Sequence, residues 1–460
     1  MSDFKPRLGL LDATMIVAGN MIGSGIFIVS ADITRNVGST GWLLLVWLIT
    51  GFMTLTAALS YGELGALFPK AGGQYVYLKE AYGGLPAFLY GWSFFTVIQT
   101  ATIAAVGVAF SKFTAYLFPW FSEDHPLHAR LLAIAVIILL TFINTRGVRS
   151  GKIVQTTFTL TKLLSLFGLI GFGLAAANGH IWKANWTDAW HLHGLAANGS
   201  ITEYLPIAAL GAVAAAMVGS IFSSDSWNNV TFIAGEIKNP QRNIALALGL
   251  GTGIVTLIYL SANVMYTAVL PLQGIASAEK DRVAVAAAQV IFGPGGTMII
   301  AVLIMVSTFG CNNGLILAGA RIYYTMAKDG LFFRRTAELN KHAVPAFGLW
   351  LQCLFAAAWC LSGKYGDLLD MISFVVVGFY MLTIAGIFIL RRKRPDAPRP
   401  YRAVGYPVLP IVYMLMGLAF CGLLIVYKPR FTWPGLIITL LGIPVYYLIR
   451  GKTKAESHPD

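Results

Sequence analysis

Residues 219–229 read Gly219-Ser220-Ile221-Phe222-Ser223-Ser224-Asp225-Ser226-Trp227-Asn228-Asn229, near the middle of an otherwise apolar stretch over about residues 201–237. Consecutive polar residues, one of them charged, are costly at membrane depth unless they line a cavity or are covered by protein. Five apolar runs earlier stands a second weak point, Ala18-Gly19-Asn20-Met21-Ile22-Gly23-Ser24-Gly25-Ile26-Phe27. Glycine inside a helix costs about 1 kcal/mol relative to alanine, and three glycines fall within seven residues here. Alone, they also suit a small-residue packing seam. Paired with the polar run, they read as two interrupted helices crossing in opposite directions, the pattern of an inverted-repeat carrier.

The surrounding composition agrees. Of 460 residues, 57% are hydrophobic and 12% charged, whereas soluble domains carry about 25% charged residues. About twelve runs approach the roughly 20 apolar residues a membrane crossing needs. They cover about residues 10–37, 42–68, 85–118, 131–144, 153–177, 201–237, 244–270, 290–326, 347–361, 368–390, 408–427 and 432–449.

Lys and Arg outnumber Asp and Glu by 33 to 20, a net charge of +13. Position turns this excess into a topology signal rather than a nucleic-acid footprint. With the N-terminus inside, the inner connections hold most of the basic residues, among them Lys5, Lys70, Arg149, Lys152, Lys238, Lys328, Arg391, Arg392, Lys393, Arg394, Lys452 and Lys454. The outer ones keep few, chiefly Arg130, Lys183, Lys280, Arg282, Lys364, Lys428 and Arg430. The positive-inside rule then predicts a multi-pass protein of the plasma (inner) membrane with both termini cytoplasmic. The lipid bilayer, not nucleic acid, is its expected partner. No small-residue cleavage site precedes the first apolar run, so that helix is expected to stay in the mature protein.

Other chemistry is sparse. Cys311, Cys353, Cys360 and Cys421 lie in apolar stretches without a CxxC pair, which gives neither a disulfide framework nor a zinc spacing. The longest outer connection carries His180, His191 and His193 with Trp182, Trp186 and Trp190. It reads as an amphipathic loop at the headgroup level, where tryptophan is enriched. No catalytic triad, P-loop or paired catalytic carboxylates appear, so the reading is not an enzyme, and no cofactor or metal is expected.

A broken helix exposes free N–H groups at the start of one half and free carbonyls at the end of the other. The amides of Gly23, Ser24 and Gly25 suit a carboxylate, and the carbonyls near Met21 and Phe222 suit an ammonium. The ligand inferred is a small solute carrying both charges. Lys162 stands about ten residues into the fifth run, roughly 15 Å deep. A lysine at the bilayer centre costs about 2.5–3.5 kcal/mol and marks a functional candidate. Snorkelling to the inner face is the bland explanation. The sharper one is that its ammonium replaces a bound sodium ion against the carbonyls of the broken helix.

Several blocks in order carry a resemblance: GNMIGSGIF, LSYGELGALFPKAGGQYVYLKEAYG, TKLLSL, FSSDSWNNVTFIAGEIKNPQRNIALAL, STFGCNNGLILAGARIYYTMAKDGLFF and RRKRPDAPRPYRAVGYP. Over nearly its whole length the chain resembles the amino acid-polyamine-organocation (APC) superfamily, and within it the L-type amino acid transporter (LAT) family. That resemblance implies an all-α integral membrane protein of the LeuT type, with a 5+5 inverted repeat, discontinuous helices 1 and 6, and two further C-terminal helices. The implied division is residues 1–177 for the first repeat, 178–200 for an extracellular loop, 201–391 for the second repeat, 392–450 for the last two helices and 451–460 for a cytoplasmic tail.

The implied activity is secondary transport of L-amino acids, as sodium-independent exchange of neutral ones by alternating access. Proton-coupled uptake through Asp225 or Glu63, and exchange of basic amino acids or polyamines, stand as alternatives. A transport-dead sensor or a channel is the reading from another class; the tail from Gly451 is too short for an output module. By resemblance Gly23, Ser24 and Gly25 hold the substrate carboxylate, and Met21, Phe222 and Asp225 offer carbonyls to its amine. Phe222 is the gate, Asn228 the polar pocket residue, Lys162 the sodium-site substitute and Thr102 the third-span candidate. Glu63, near the inner end of span two, reads equally as a solvated structural residue.

Two departures from the animal members matter. The loop reading Leu117-Phe118-Pro119-Trp120-Phe121-Ser122-Glu123 lacks the cysteine that joins them to a glycoprotein, so the chain looks like a prokaryotic, stand-alone member with no disulfide-linked heavy subunit. Asp225 stands where many of them have glycine. It is read as a contact for the amine, a selector for a cationic side chain, a proton carrier, or an N-cap for the lower half of span six.

Overall fold

The computed structural model describes residues 6–121, 125–362 and 365–456. Lys5, Ser122, Glu123 and Lys364 of the sequence reading lie outside the described residues, as do the tail beyond 456 and the side chains of Arg149, Lys152, Lys452 and Lys454.

The first span is two helices, α1 (Leu10–Met21) and α2 (Gly25–Val37), bent by 42° at the break. Next come α3 (Thr40–Leu67), the short α4 (Gln74–Tyr82), and α5 (Gly84–Ser93), which runs through a π-helical turn at Phe94–Ile98 into α6 (Gln99–Leu117). They are followed by α7 (Pro126–Thr145), α8 (Val148–Ala175) and the short α9 (Gly179–Trp186). The sixth span is again broken, into α10 (Pro206–Ser223) and the single turn α11 (Asn229–Phe232). Then follow α12 (Pro240–Val269), α13 (Leu272–Ala276), α14 (Val283–Lys328), α15 (Ala346–Ser362), α16 (Tyr365–Lys393), α17 (Val408–Tyr427) and α18 (Pro429–Glu456). Among the described residues ten helices are long and apolar enough to cross a membrane, and the bent first pair makes an eleventh. The helix α15 falls just short at 17 residues.

Packing repeats itself along the chain. In the first span α1 lies on α8 and α12, the fifth and seventh spans, while in the sixth α10 lies on α16 and α3, the tenth and second. Likewise α6 packs on α16 and α15, and α14 on α8 and α7. Exchanging each span with the one five later therefore maps these pairs onto each other. The pairs α2 with α10, α3 with α12, α6 with α14 and α7 with α15 map onto themselves.

The outer connection differs from the expected loop. It forms α9 and a small antiparallel hairpin, β1 (His193–Leu195) with β2 (Ile201–Glu203), in register His193↔Glu203. Span six consequently starts at Pro206, not near residue 201, since proline suits the first helical position and Asn198-Gly199, with Gly199 at φ +87°, supplies the turn. The segment is pinned to the helices beside it. Asn185 Nδ2 donates to the carbonyls of Thr267 and Leu270 at 2.8 and 2.9 Å, and its Oδ1 accepts from Leu272 N. Trp42 Nε1 donates to Trp190 O at 2.9 Å. At Gly38, the left-handed end of α2, an added Cβ would lie 2.5 Å from His193.

On the opposite side Glu63 corrects the expectation of a solvated carboxylate. It is 2% exposed, paired in bidentate fashion by Arg391 at 3.0 and 2.7 Å, approached by Arg399 Nε at 3.4 Å, and capped by Ala403 N at 2.7 Å. These bonds fasten α3 to the end of α16 and the chain beyond it. Removing one partner of a buried ion pair costs about 3–5 kcal/mol, so Glu63→Gln is expected to lower the thermal unfolding midpoint of detergent-purified protein markedly. An unchanged midpoint would show that the clamp contributes nothing to stability.

Candidate substrate site at the paired helix breaks

The glycines around residue 23 let α1 end inside the protein. Ile22, at φ −75° and ψ 88°, leaves the helical region, and Gly23 N turns back to Met21 O at 2.9 Å. The last carbonyls of a helix have no intrahelical donors, and here side chains from three other spans supply them. Lys162 Nζ, from α8, donates to Gly19 O at 2.5 Å and Ile22 O at 2.7 Å and is wholly buried. Cys311 Sγ, from α14, donates to Asn20 O at 3.3 Å. Tyr259, from α12, donates to Met21 O at 2.9 Å.

The same Tyr259 hydroxyl lies 2.9 Å from Ser223 O, the end of α10, so one side chain touches both breaks. Close approach needs glycine: a Cβ on Gly25 would sit 1.9 Å from Ser223 Oγ, and one on Gly23 would sit 3.0 Å from Cys311 Sγ. Since α2 restarts at Gly25, the amides of Gly25 and Ile26 have no intrahelical acceptor, while Phe27 N turns back on Ser24 O at 3.1 Å. Ser24 Oγ is 3.0 Å from the hydroxyl of Tyr365, at the start of α16. The Tyr365 ring meets Phe222 edge-on, with centroids 6.0 Å apart. Met21, Gly23, Ser24, Gly25 and Phe222 thus meet around one point, with Lys162 behind it.

Asp225 and Asn228 stand on the other side of the second break. Asp225 N folds back on Phe222 O at 3.2 Å, and Ser226 takes φ +65° before the helix resumes at Asn229. Tyr380 OH donates to Asp225 Oδ1 at 2.5 Å. Asn228 Nδ2 donates to Gln74 Oε1, and Gln74 Nε2 to Thr383 Oγ1, each at 3.0 Å. Asp225 and Tyr380 border two cavities. One, of about 10 Å³, is also lined by Gln74, Gln99, Tyr90 and Asn228. The other, of about 20 Å³, lies toward α3 and α17 and is lined by Thr50, Thr54, Trp227 and Tyr413. No basic side chain bonds Asp225 among the described residues.

Thr102 lines neither cavity, and its hydroxyl is turned onto Ile98 O of its own helix at 2.6 Å. Sequence reasoning missed Tyr259, Tyr365, Tyr380, Gln74 and Cys311. A signal existed for the first: a buried tyrosine hydroxyl needs a partner, and Tyr259 and Tyr266 are two helical turns apart on one face. Tyr266 OH donates to Ile26 O at 3.2 Å, so both reach the broken first span. In the outer segment His191 lies between Asp188 and Glu203 at 3.1 and 2.9 Å. Among the described residues no group of three His, Cys, Asp or Glu is arranged to hold a metal. All four cysteines are buried and free.

Membrane-length helices surrounding two breaks that meet at depth define a multi-pass solute transporter. The chain belongs to the amino acid permease family, whose pattern matches residues 8–447; it is a transporter of the APC superfamily and not an enzyme. It is 33% identical over 454 residues to the human large neutral amino acids transporter small subunit 2, an alignment covering 96% of this chain and 80% of that one. It is 30% identical to the human Asc-type amino acid transporter 1, over 96% and 82% of the two chains. To the mouse b(0,+)-type amino acid transporter 1 it is 28% identical, over 97% and 88%.

The contact between the breaks yields a test. Overpacking costs about 1–3 kcal/mol, so Gly25→Ala is expected to depress amino acid uptake at least tenfold. Adding Ser223→Gly, which removes the opposing side chain, should recover part of it. If Gly25→Ala transports normally, the close approach of α2 to α10 is not required.

Proposed function

We propose that this amino acid permease is a sodium-independent exchanger of neutral L-amino acids, working by alternating access in the plasma membrane with both termini cytoplasmic and without a disulfide-linked subunit. One observation carries the reading: the Lys162 ammonium lies on the carbonyls of Gly19 and Ile22, so a fixed positive charge already occupies the carbonyl end of the broken helix. A coupling cation has no vacancy there. The amides at Ser24 and Gly25, joined by Gly23 once its N–H leaves Met21 O, hold the substrate carboxylate in this reading, while the backbone at Met21, Phe222 and Asp225 receives its ammonium. Phe222, backed by Tyr365, closes over it, and Asn228 lines the pocket below. Thr102 joins this set only when its hydroxyl turns from Ile98 O. The division into repeats 1–177 and 201–391, the loop 178–200, the last two helices 392–450 and the tail 451–460 draws support from packing pairs that survive exchange of each span with the one five later.

Counterflow in proteoliposomes tests it. Labelled L-amino acid should enter vesicles loaded with unlabelled amino acid, equally in sodium and in choline, and barely enter empty ones. Uptake that ignores the internal amino acid, yet collapses when a proton gradient is dissipated, sinks exchange. Bonds to a charged group contribute about 1.5–3 kcal/mol, so Lys162→Ala should slow counterflow tenfold or more at normal insertion. Wild-type rates in that variant refute the sodium-substitute role.

A second reading, proton coupling or a basic substrate, is favoured by Asp225, a buried carboxylate between two cavities with a tyrosine hydroxyl on it. Glu63, held by two arginines, is poorly placed for the same task. Asp225→Asn separates the cases. Neutral exchange should survive it, while uptake of lysine or accumulation driven by a proton gradient should vanish if either depends on the carboxylate. Unaltered lysine uptake and accumulation in the variant exclude both roles.

A further inference from the structure

Two consecutive residues between α13 and α14, Lys280 at φ +52° and Asp281 at φ +61°, hold a left-handed backbone without being glycine. Such a conformation persists only where its surroundings hold it, and it clusters in functional segments. Here the holders are side chains of two helices. Asp281 Oδ1 accepts from Arg35 Nη1 of α2 at 2.8 Å, and its Oδ2 lies 3.6 Å from Lys112 Nζ of α6. Arg35 Nη1 also donates to Ala276 O, at the end of α13, at 2.9 Å, so one guanidinium grips both ends of segment 276–281. Next to Asp281, the Arg282 guanidinium pairs with Glu279 at 2.9 Å and lies 5.3 Å from the ring centroid of Tyr116 on α6. Segment 276–282 is therefore fastened to α2 on one side and to α6 on the other.

The half-span α2 starts at the first break. Arg35 stands ten residues beyond Gly25, which at about 1.5 Å per residue puts its ion pair roughly 15 Å from the candidate site. Nearer the site, Phe27 of α2 meets Phe113 of α6 edge to face, with centroids 6.4 Å apart, and both are buried. Alternating access opens a site to each face in turn by moving one group of helices against another. Here α2 packs on α10, of the other broken span, whereas α6 packs on α7, α14 and α15. We propose that segment 276–282 is a strap that holds α2 against α6 and shuts the candidate site on the face where α2 ends, with Asp281 as its latch. Parting the two helices breaks the Asp281–Arg35 pair and frees residues 280 and 281 to leave the left-handed region, so released strain offsets part of the cost of opening. Partly exposed ion pairs are weak one by one, which suits a contact that breaks in every cycle. The strap rests on the alternating-access part of the proposed function, not on exchange or on the choice of substrate.

Two measurements on the full chain test the strap. In the first, Phe113→Cys reports on the contact between α2 and α6 through its rate of alkylation by N-ethylmaleimide, read by mass spectrometry; the four native cysteines are buried. Adding Asp281→Asn should speed that alkylation about fivefold, and adding Glu338→Gln, an exposed acid elsewhere, should not. In the second, a chain carrying Arg35→Cys and Asp281→Cys is bridged by a short bis-methanethiosulfonate in proteoliposomes. Amino acid uptake should be lost on bridging and return on reduction, while each single variant treated alike keeps its uptake. Equal alkylation with and without Asp281→Asn, or undiminished uptake by the bridged protein, overturns the proposal. Failure of the exchange reading shows separately, as uptake by the untreated chain that ignores the internal amino acid.

Discussion

Ending a helix inside a bilayer releases carbonyls that lipid cannot bond, and the Lys162 ammonium is the group that makes such an end tolerable here. It takes the carbonyls of Gly19 and Ile22, with Cys311 and Tyr259 on those of Asn20 and Met21 between them. A lysine alone at that depth is costly, and so is an open helix end. Each answers the unmet bonding of the other, which ties α8, α12 and α14 to one turn of the first span. The candidate site inherits its shape from that arrangement, because α2 restarts just beyond it at Gly25.

The helical breaks were legible because they are anomalies against an apolar background. Three glycines in seven residues, a polar run around Asp225 and a lysine at mid-span each violate the expectations of a lipid-facing helix. The direction of Lys162 toward the first break could be read from the need of a buried ammonium for acceptors. Tyr259, Tyr365 and Tyr380 were not legible in the same way. Tyrosine is ordinary in membrane helices, and nothing in one sequence says which face of α12 or α16 meets which break. Thr102 shows the converse limit: position in the third span does not tell whether a hydroxyl faces a cavity or its own helix. The hairpin before α10 was missed although Asn198-Gly199 offered a turn, because the neighbouring apolar residues were read as the start of a span.

Charge is distributed with comparable economy elsewhere. Glu63 and Glu236 are buried acids, each met by arginine: Arg391 and Arg399 for the first, Arg321 at 3.3 Å for the second. The backbone carbonyl of Glu236 also accepts from Arg7 N and Leu8 N at 2.8 and 2.9 Å, which holds the segment before α1 beside the second half of span six. Among the described residues Asp225 differs in having a hydroxyl and no cation as its side-chain partner. That contrast, between acids fixed by arginine and one left open to cavities, is what singles it out.

Tyr259 has a single hydroxyl hydrogen and two carbonyls, those of Met21 and Ser223, at the same 2.9 Å. One proton cannot serve both at full strength. Any displacement that lengthens the contact to one break lets the hydrogen point more directly at the other, so the ends of spans one and six are rivals for a common donor. The strengths of the two bonds are therefore anticorrelated, so that what one break loses from this hydroxyl the other gains.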